Sequence, residues 1–255
     1  MKTNLHSAFS SVVEKMGYVV YPTWKMNDLA LEQHLAKLFD HYGITVVLDI
    51  GANAGQYRDF LRHRVGFSGT IHSFEPNPQL VSKLMARGTE DPLWTIHNMG
   101  LGHENGNLTL NIMARDTFSS FRNPDNSATL KFASSNTIVD TASVPVRRLD
   151  DLIADLVDLD RECCYMKVDT QGFDIEVLRG ANRTLEKTKA MQFELAVQRI
   201  YSDVPHHLDM LKTVENHGYD LSGMFPISQD EHLRAVEFDC VMVKHPTNLV
   251  NSQIA

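Results

Sequence analysis

The chain has 255 residues, a formal net charge of −8, 43% hydrophobic residues and 22% charged residues. This length and composition are ordinary for a soluble globular protein with one α/β domain. Lysine and arginine are scattered along an acidic chain, which argues against a nucleic-acid partner and favours a small or neutral substrate.

The first segment, residues 1–43, is predicted to be a helical lead-in. Apolar residues recur there at near-helical spacing, namely Leu29, Leu31, Leu35, Leu38 and Phe39, and Gly43 ends the pattern. Nothing in the sequence decides whether this lead-in covers a cofactor or forms a dimer contact. A homo-oligomer therefore stays open as a possibility.

After residue 43 the hydrophobic period changes, and short apolar runs alternate with helical segments. The predicted strands cover residues 45–50, 70–74, 94–98, 164–168, 191–197 and 236–244, and the predicted helices cover 56–64, 78–87, 175–187 and 205–217. This alternation is typical of βαβ units, so residues 44–245 are predicted to form an α/β domain with a mainly parallel sheet. Residues 246–255 are predicted to be a polar tail.

The stretch VVLDIGANAG, residues 46–55, carries the strongest functional signal. A buried strand that ends in an acid and breaks into a glycine turn is where α/β sheets hold nucleotide-like ligands. Asn53 stands where a G-x-G-x-x-G site would have a glycine, which argues against an NAD-dependent oxidoreductase. The carboxylate of Asp49, with free amides around Gly51 and Gly55, suits a ligand with both an ammonium and a carboxylate, such as S-adenosylmethionine. The alternative is a structural turn that binds nothing.

Glu75 directly follows the second predicted strand. An acid at this point of a nucleotide-binding sheet can accept hydrogen bonds from both ribose hydroxyls. The alternative is an acid at the start of the next helix, before Asn77 and Pro78, where the helix dipole favours negative charge. Together with the glycine turn, ribose binding is the favoured interpretation.

Residues 103–148 interrupt the alternation with a long and mainly polar insertion. Residues 108–112 and 143–147 are predicted as extra strands, joined by a polar stretch that includes Ser119, Asn123, Pro124, Asn126, Ser134, Ser135 and Asn136. A long insertion in a compact domain is usually functional or mobile. The segment is therefore a candidate lid over the substrate.

Further acids follow the later strands, at the edge where open α/β sheets bind ligands. Asp169 could orient a substrate, accept a proton or coordinate a metal, whereas capping of the next helix is favoured for Asp174. Glu194 lies late in the neighbouring strand, so Asp169 and Glu194 could share Mg²⁺ or place a general base near an acceptor hydroxyl. The alternative for Glu194 is an ion pair with Arg199 or Lys167.

Cysteine usage and apolar runs bear on the compartment. Cys163 and Cys164 are adjacent in one predicted strand and Cys240 lies in another, without a Cys-x-x-Cys spacing, which indicates buried thiols in a reducing environment. The N-terminus has no compact apolar region of the kind a signal peptide needs, and no apolar run approaches the ~20 residues of a transmembrane helix. We therefore expect a soluble, cytoplasmic protein with no membrane partner.

Four stretches together resemble the FkbM family of S-adenosylmethionine-dependent methyltransferases. They are VLDIGANAGQY at 47–57, SFEPNP at 73–78, VPVRRLDDLI at 144–153 and MKVDTQGFDIEVLRGA at 166–181. Many methyltransferases share the first two, the last two are more specific together, and the likeness covers roughly residues 45–245. The resemblance implies a Rossmann-like class I methyltransferase fold with a mainly parallel seven-stranded sheet. It also implies O-methylation of hydroxyls, often on sugars, glycans or polyketide-type natural products.

The same resemblance assigns residues to the cofactor. Asp49, Gly51, Asn53 and Gly55 would hold the methionine part, Glu75 the ribose and Asn98 the adenine, although methyltransferases usually have an acid at the last position. Family members often have Glu where this chain has Gln171 and Asp174. Asp169 and Glu194 match the family pattern and are the predicted catalytic pair, with Asp169 as base or substrate anchor and Glu194 in support.

The sequence therefore predicts an O-methyltransferase whose acceptor is a small molecule or a glycan. The acceptor hydroxyl would lie over the C-terminal edge of the sheet and attack the sulfonium methyl in line. Mg²⁺ on Asp169 and Glu194 is a second, less favoured mechanism. Outside the enzymes, the alternative is a non-catalytic protein that binds S-adenosylmethionine.

Overall fold

Ten strands and seven α-helices lie in the part of the chain that the computed structural model describes, which is residues 26–125 and 132–246 together with Val13 and Met16. The strands are β1 (Val46–Ile50), β2 (Thr70–Phe74), β3 (Trp94–His97), β4 (Gly100–Leu101), β5 (Gly106–Met113), β6 (Ile138–Arg147), β7 (Cys164–Val168), β8 (Ala190–Ala196), β9 (Tyr219–Gln229) and β10 (Ala235–Lys244). The helices are α1 (Met26–Tyr42), α2 (Gln56–Phe60), α3 (Pro78–Gly88), α4 (Leu149–Leu156), α5 (Asp174–Arg179), α6 (Asn182–Lys187) and α7 (His207–Asn216). A π-helical turn, Leu61–Val65, continues α2, and a 3₁₀ turn, Asp116–Phe118, follows β5.

Seven strands form the main sheet in the order β3-β2-β1-β7-β8-β10-β9. The first five of these run parallel, and β10 is antiparallel to both of its neighbours. This confirms the predicted Rossmann-like class I methyltransferase fold with its mainly parallel seven-stranded sheet. All six strands predicted for this sheet are present, with bounds that differ by at most one residue.

The outermost strand of the main sheet, β9, is not among the strands predicted from the sequence. Most of its side chains are partly or fully exposed, and Gly223 and Pro226 interrupt its apolar pattern. A proline is tolerated there because an edge strand has one side without backbone partners. Its pairing with β10 along most of its length, rather than its own sequence pattern, accounts for this strand.

The strands at the centre of the sheet are buried on both faces, as parallel strands covered by helices usually are. Along β1, Leu48 and Ile50 belong to a core that includes side chains of α4, α5, α6 and α7. Val47 points to the other face, where it packs with apolar side chains of α1 and α3. The same alternation sends Asp49 to the face of Val47.

The continuous helix predicted over residues 175–187 is wrong, because α5 and α6 are separate helices. A Cβ atom on Gly180 would lie 2.0 Å from the carbonyl oxygen of Gly102, so the chain passes very close to another loop at this point. Asp150 then accepts hydrogen bonds from the backbone amides of Arg183 and Thr184, at 3.0 and 2.9 Å, in the first turn of α6. The break in the helix therefore follows from tertiary contacts.

The insertion supplies two strands of a second sheet, whose third strand, β4, lies just before it; the order is β4-β6-β5. Its strands β5 and β6 include the two extra strands that were predicted at residues 108–112 and 143–147. Of the polar stretch between them, Asn126 lies outside the described residues.

The described part of the lead-in is α1, which ends before Gly43 in a left-handed turn with φ +59°. The other residues predicted for the lead-in and for the tail, apart from Val13, Met16 and Pro246, lie outside the described residues. Within the described ranges, no helix has the length and apolar character needed to cross a membrane.

Candidate active site

A cavity of about 610 Å³ opens at the C-terminal ends of β1, β2, β7 and β8. Gly51, Glu75 and Asp169 line it at the sheet edge. Residues 115–121 of the insertion and residues 225–228 of β9 also line it. This volume falls within the range of about 300–1,000 Å³ typical of small-molecule sites. Open α/β sheets bind their ligands at this edge, so the cavity is the candidate active site.

The glycine turn after β1 forms part of the cavity wall. Gly51 has φ +89°, and a Cβ atom there would lie 1.8 Å from the carbonyl oxygen of Asp169, so only glycine lets β1 and β7 meet at this point. Asn53 also lines the cavity, and its Oδ1 accepts a hydrogen bond of 2.7 Å from the amide of Ala54. Gly55 is buried and does not line the cavity. A Cβ atom at this position would lie 2.9 Å from the Trp94 ring.

Asp49 lies fully buried behind the turn and does not line the cavity. The strand register sets it level with Ser73 on β2 and with Lys167 on β7. The Ser73 hydroxyl donates a hydrogen bond of 2.8 Å to it, and the Lys167 ammonium lies 3.6 Å from its Oδ1. Burial raises the pKa of Asp49, whereas Lys167 acts in the opposite direction. The ammonium group beside Asp49 in the structure is therefore that of Lys167, whereas an ammonium group of the ligand was predicted there.

Lys167 also lines the cavity, although the sequence indicated it only as an alternative partner of Glu194. Its Nζ lies 3.2 Å from Asp169 Oδ2 and donates a hydrogen bond of 3.3 Å to the carbonyl oxygen of Gly51. Burial alone would lower the pKa of Lys167, but Asp169 and Asp49 raise it above its ordinary value. A lysine inside the apolar run CYMKV, two positions before Asp169 and hence on the same face, was the signal available in the sequence.

Glu75 lies directly after β2, is 6% exposed and lines the cavity. Its two carboxylate oxygens accept hydrogen bonds from the backbone amides of Asn53 and Asn77, at 2.7 and 2.8 Å. Burial raises the pKa of Glu75 to about 7, although the two amides act in the opposite direction. Each carboxylate oxygen has a second lone pair that can accept a hydroxyl of a ligand. Ribose binding by Glu75 stays a prediction with which this geometry is compatible.

The structure brings Asp169 and Glu194 to the same end of the cavity, with Gln171 between them. The Gln171 amide nitrogen donates hydrogen bonds of 2.9 Å to Asp169 and 3.5 Å to Glu194. Burial raises the pKa of Glu194 well above its ordinary value, and the negative charges of Asp169 and Glu237 act in the same direction. Burial thus favours the protonated form of Glu194. A catalytic role for Asp169 and Glu194 stays a prediction.

Two acids of β10 that were not predicted as site residues also line the cavity. Glu237 accepts a hydrogen bond of 2.8 Å from the Ser228 hydroxyl, and Asp239 accepts one of 2.7 Å from the Gln192 amide. Burial raises the pKa of Asp239 to about 6. The acids among the described lining residues are Asp28, Glu75, Asp116, Asp169, Glu194, Glu237 and Asp239, against the bases Arg115 and Lys167. The cavity is therefore acidic.

The structure does not bring Asn98 or Asp174 to the cavity wall. Asn98 is exposed between β3 and β4, and adenine contact by this residue stays a prediction. Asp174 accepts hydrogen bonds from the backbone amides of Thr170 and Gly172, at 3.0 and 3.2 Å. Asp174 is therefore not the predicted cap of α5, because it lies in the first turn of that helix and orders the turn before it.

The insertion predicted as a lid forms one wall of the cavity and is tied to the loop after β7. The Ser120 hydroxyl donates a hydrogen bond of 2.6 Å to the carbonyl oxygen of Gln171. The Tyr201 hydroxyl bonds to the carbonyl oxygen of Phe118, at 2.8 Å, and to Gln171 Oε1, at 2.9 Å. Movement of this wall stays a prediction.

In the described ranges, no group of three or more histidine, cysteine, aspartate or glutamate residues is arranged to hold a metal ion. Asp169 and Glu194 are instead joined through an amide that donates to both. The pair therefore offers two carboxylates to a cation such as Mg²⁺ without a third acid in metal-binding geometry among these residues.

Comparison with known proteins gives a family match. The family model described as Methyltransferase FkbM domain matches residues 49–221. The hexuronic acid methyltransferase AglP from Haloferax volcanii is 25% identical over 182 residues, which cover 68% of this chain. The chain spans 65% of the length of that curated relative.

Two solved structures are among those similar to this chain. The methyltransferase FkbM from Methylobacillus flagellatus KT has a TM-score of 0.48 and 16% identity, covering 77% of this chain and 43% of that chain. A putative S-adenosylmethionine dependent methyltransferase from Listeria monocytogenes has a TM-score of 0.49 and 10% identity, covering 86% of this chain and 99% of that chain.

Proposed function

The chain belongs to the FkbM methyltransferase family and carries its S-adenosylmethionine-dependent methyltransferase domain, and from this premise we propose that it methylates a hydroxyl group of a sugar-like acceptor. The observation that carries the proposal is the content of one cavity. Glu75 lies at the end of the cavity formed by the glycine turn, and Asp169 lies beside Glu194 where the insertion forms the wall. The residue proposed for the cofactor and the proposed catalytic pair thus line the same cavity.

The residues near β1 and β2 fit S-adenosylmethionine. Gly51 keeps the wall free of a side chain, since a Cβ there would meet the backbone of Asp169. Asn53 would contact the methionine part, and Glu75 would accept hydrogen bonds from the ribose hydroxyls. Asp49 and Gly55 would act from behind the wall, Asp49 by holding Lys167 and Gly55 by packing the start of α2 against Trp94. When bound, this cofactor supplies a methyl group on a sulfonium, which a hydroxyl oxygen can attack directly.

Asp169 would take the proton of the acceptor hydroxyl. Its side chain is 29% exposed, and it is fixed by Lys167 at 3.2 Å and by Gln171 at 2.9 Å. A positioned general base contributes about 10²–10⁴-fold to a rate. Ideal placement of the two reacting groups contributes up to ~7–11 kcal/mol. Glu194, whose pKa is raised by burial, would contact a second acceptor oxygen in support of Asp169.

The proposed acceptor is a polyhydroxylated small molecule or a glycan. The curated relative is named for a sugar acid, which supports a sugar-like acceptor. The cavity wall would offer such a molecule the hydroxyl groups of Thr117 and Ser119. The excess of acids among the described lining residues favours a neutral or amine-bearing acceptor over a carboxylated one.

Two other mechanisms are kept as outcomes of the test. Mg²⁺ bound by Asp169 and Glu194 would make turnover sensitive to a chelator, because removal of the ion would remove the activation of the acceptor. A non-catalytic protein would bind S-adenosylmethionine without converting it in the presence of any acceptor.

The experiment incubates the chain with S-adenosylmethionine and a panel of neutral, amino and acidic sugars, with and without a chelator. Mass spectrometry then follows the demethylated cofactor and an acceptor gain of one methyl group. Asp169→Asn should abolish most of the conversion, whereas the matched Asp160→Asn, at a surface carboxylate paired with Lys187, should leave it unchanged. Cofactor binding without conversion of any acceptor would contradict the proposed activity.

A further inference from the structure

Gln171 has a backbone conformation that few residues other than glycine adopt. Its φ is +53°, and it directly precedes Gly172, whose φ is +87°. Such a conformation costs about 1–3 kcal/mol and persists where the surrounding contacts determine it. The contacts of Gln171 therefore indicate the role of this strained residue.

The side chain of Gln171 uses both of its polar atoms inside the site. Its amide nitrogen donates to Asp169, at 2.9 Å, and to Glu194, at 3.5 Å. Its amide oxygen accepts a hydrogen bond of 2.9 Å from the Tyr201 hydroxyl. The backbone oxygen of the same residue accepts a hydrogen bond of 2.6 Å from Ser120, in the wall formed by the insertion.

Only an amide can make this set of contacts at this position. It has two N–H groups that can be donated to two carboxyl groups, and an oxygen that accepts from a phenol. An ionised carboxylate has no hydrogen to donate, so it would face Asp169 and Glu194 as a further acceptor. The glutamine is thus matched to the two acids on one side and to the tyrosine on the other.

We propose that Gln171 is a positioning residue, which fixes the Asp169 carboxylate toward the acceptor and joins it to the insertion wall through Ser120. This inference rests on the proposed function, in which Asp169 is the general base. The charged groups around Asp169 are Lys167 on β7, Glu194 on β8, Glu237 and Asp239 on β10, and Asp49 and Asp174. Gln171 lies among these charged groups as a neutral residue, and its amide nitrogen donates to both Asp169 and Glu194.

Two substitutions separate positioning from simple support of the fold. Gln171→Ala removes the hydrogen bonds without adding charge and should lower kcat by about 10- to 100-fold, the scale expected for a misplaced catalytic group. Gln171→Glu adds a negative charge beside Asp169 and should move the acidic limb of the pH profile of kcat upward by about one unit. The dissociation constant of S-adenosylmethionine should stay within about twofold in both variants, because Gln171 lies at the acceptor end.

Gln198→Glu is the matched control, since this amide also donates to a carboxylate, Asp230 at 3.0 Å, but lies outside the cavity. It should leave both kcat and the pH profile as in the unmodified chain. A full kcat in Gln171→Ala would overturn the proposal. So would a loss of kcat in Gln171→Glu without any movement of the pH profile, because that result indicates structural support alone.

A second measurement does not need turnover and keeps the proposal testable if the acceptor class is wrong. The pKa of the new carboxyl in folded Gln171→Glu should exceed its unfolded value, because Asp169 and Glu194 lie beside it. The Tm deficit of Gln171→Glu should then grow from about pH 5 to about pH 8, whereas that of Gln171→Ala should stay constant. A deficit independent of pH in both variants would overturn the placement of Gln171 between the two acids. Absence of turnover in the unmodified chain would instead count against the proposed function.

Discussion

Replacing Lys167 by methionine tests how buried charge is balanced behind the cavity. Asp49 is fully buried, and its Oδ1 has no hydrogen-bond partner in the described part of the chain, with the Lys167 ammonium 3.6 Å away. Methionine preserves most of the apolar stem and removes the charge. Removal of one partner from a buried ion pair costs about 3–5 kcal/mol, because the remaining charge is left uncompensated. Asp169 contributes less to this loss, since its side chain is 29% exposed and water can replace its partner.

Urea denaturation of both proteins near neutral pH measures this loss. At about 2–4 °C per kcal/mol for a domain of this size, the same change should lower Tm by roughly 6–20 °C. The deficit should shrink as the pH falls. Burial raises the pKa of Asp49, so the folded state binds a proton more readily than the unfolded state, and a protonated Asp49 needs no cation. For the same reason, adding Asp49→Asn to Lys167→Met should recover part of the lost stability.

The matched control is Lys187→Met, which removes a lysine that pairs with Asp160 at 2.6 Å on the surface. Such an exposed pair contributes ~0–1 kcal/mol, so this variant should unfold almost as the unmodified chain does. A loss below ~1 kcal/mol in Lys167→Met, or a double variant with Asp49→Asn that is less stable than Lys167→Met alone, would refute the reasoning.

Four further predictions follow from the site. Glu75→Gln should weaken S-adenosylmethionine binding in calorimetric titration. Because burial raises the pKa of Glu75 to about 7, the affinity of the unmodified chain should rise from about pH 6 to about pH 8. The affinity of the variant should not change over this range. Gly51→Ala should cost ~2–6 kcal/mol in urea denaturation, from a steric clash and a positive φ together, whereas Gly43→Ala, with nothing within 4 Å, should cost ~1–2 kcal/mol. Asp169→Asn should lower kcat about 10²–10⁴-fold in single-turnover assays and keep the cofactor affinity. Neutral and amino sugars should give a higher kcat/KM than the corresponding uronic acids in the acceptor panel.

Each of these expectations has an outcome that contradicts it. An S-adenosylmethionine affinity that is independent of pH in the unmodified chain would contradict ribose binding by Glu75. Equal losses of stability in Gly51→Ala and Gly43→Ala would contradict the close contact between Gly51 and the backbone of Asp169. A parallel loss of cofactor affinity and kcat in Asp169→Asn would place that residue in cofactor binding. A preference for uronic acids would contradict the argument from the excess of acids in the cavity lining.

Local signals in the sequence were sufficient to predict most of the sheet and one end of the cavity. One short stretch of chain contains the apolar run before Gly51, the glycine turn and Glu75. In this stretch the spacing of the hydrophobic residues changes clearly from that of a strand to that of a helix. The polar insertion was also recognisable, because its composition departs from that of its neighbours. Asp169 and Glu194 could be placed at one sheet edge because both follow strands in the same way.

The remainder of the site depends on contacts between distant parts of the chain. Lys167 meets Asp49 because of the register between β1 and β7, which no local pattern encodes. Glu237 and Asp239 reach the cavity because β10 lies antiparallel to β8 and follows it by about forty residues. The helix ends at Gly180, where the chain passes very close to the loop that contains Gly102. In each case the determining interaction is tertiary, so sequence periodicity alone could not predict it.

Thermal unfolding with S-adenosylmethionine, its demethylated product and NAD, each at about 100 times its expected dissociation constant, tests the central claim most directly. Binding at that excess adds ~2.7 kcal/mol to stability, which corresponds to roughly 5–10 °C in Tm for this domain. We predict that shift with both sulfur ligands, a smaller one in Glu75→Gln, and none with NAD. A shift with NAD alone, or no shift with either sulfur ligand, would contradict the assignment of this cavity to S-adenosylmethionine.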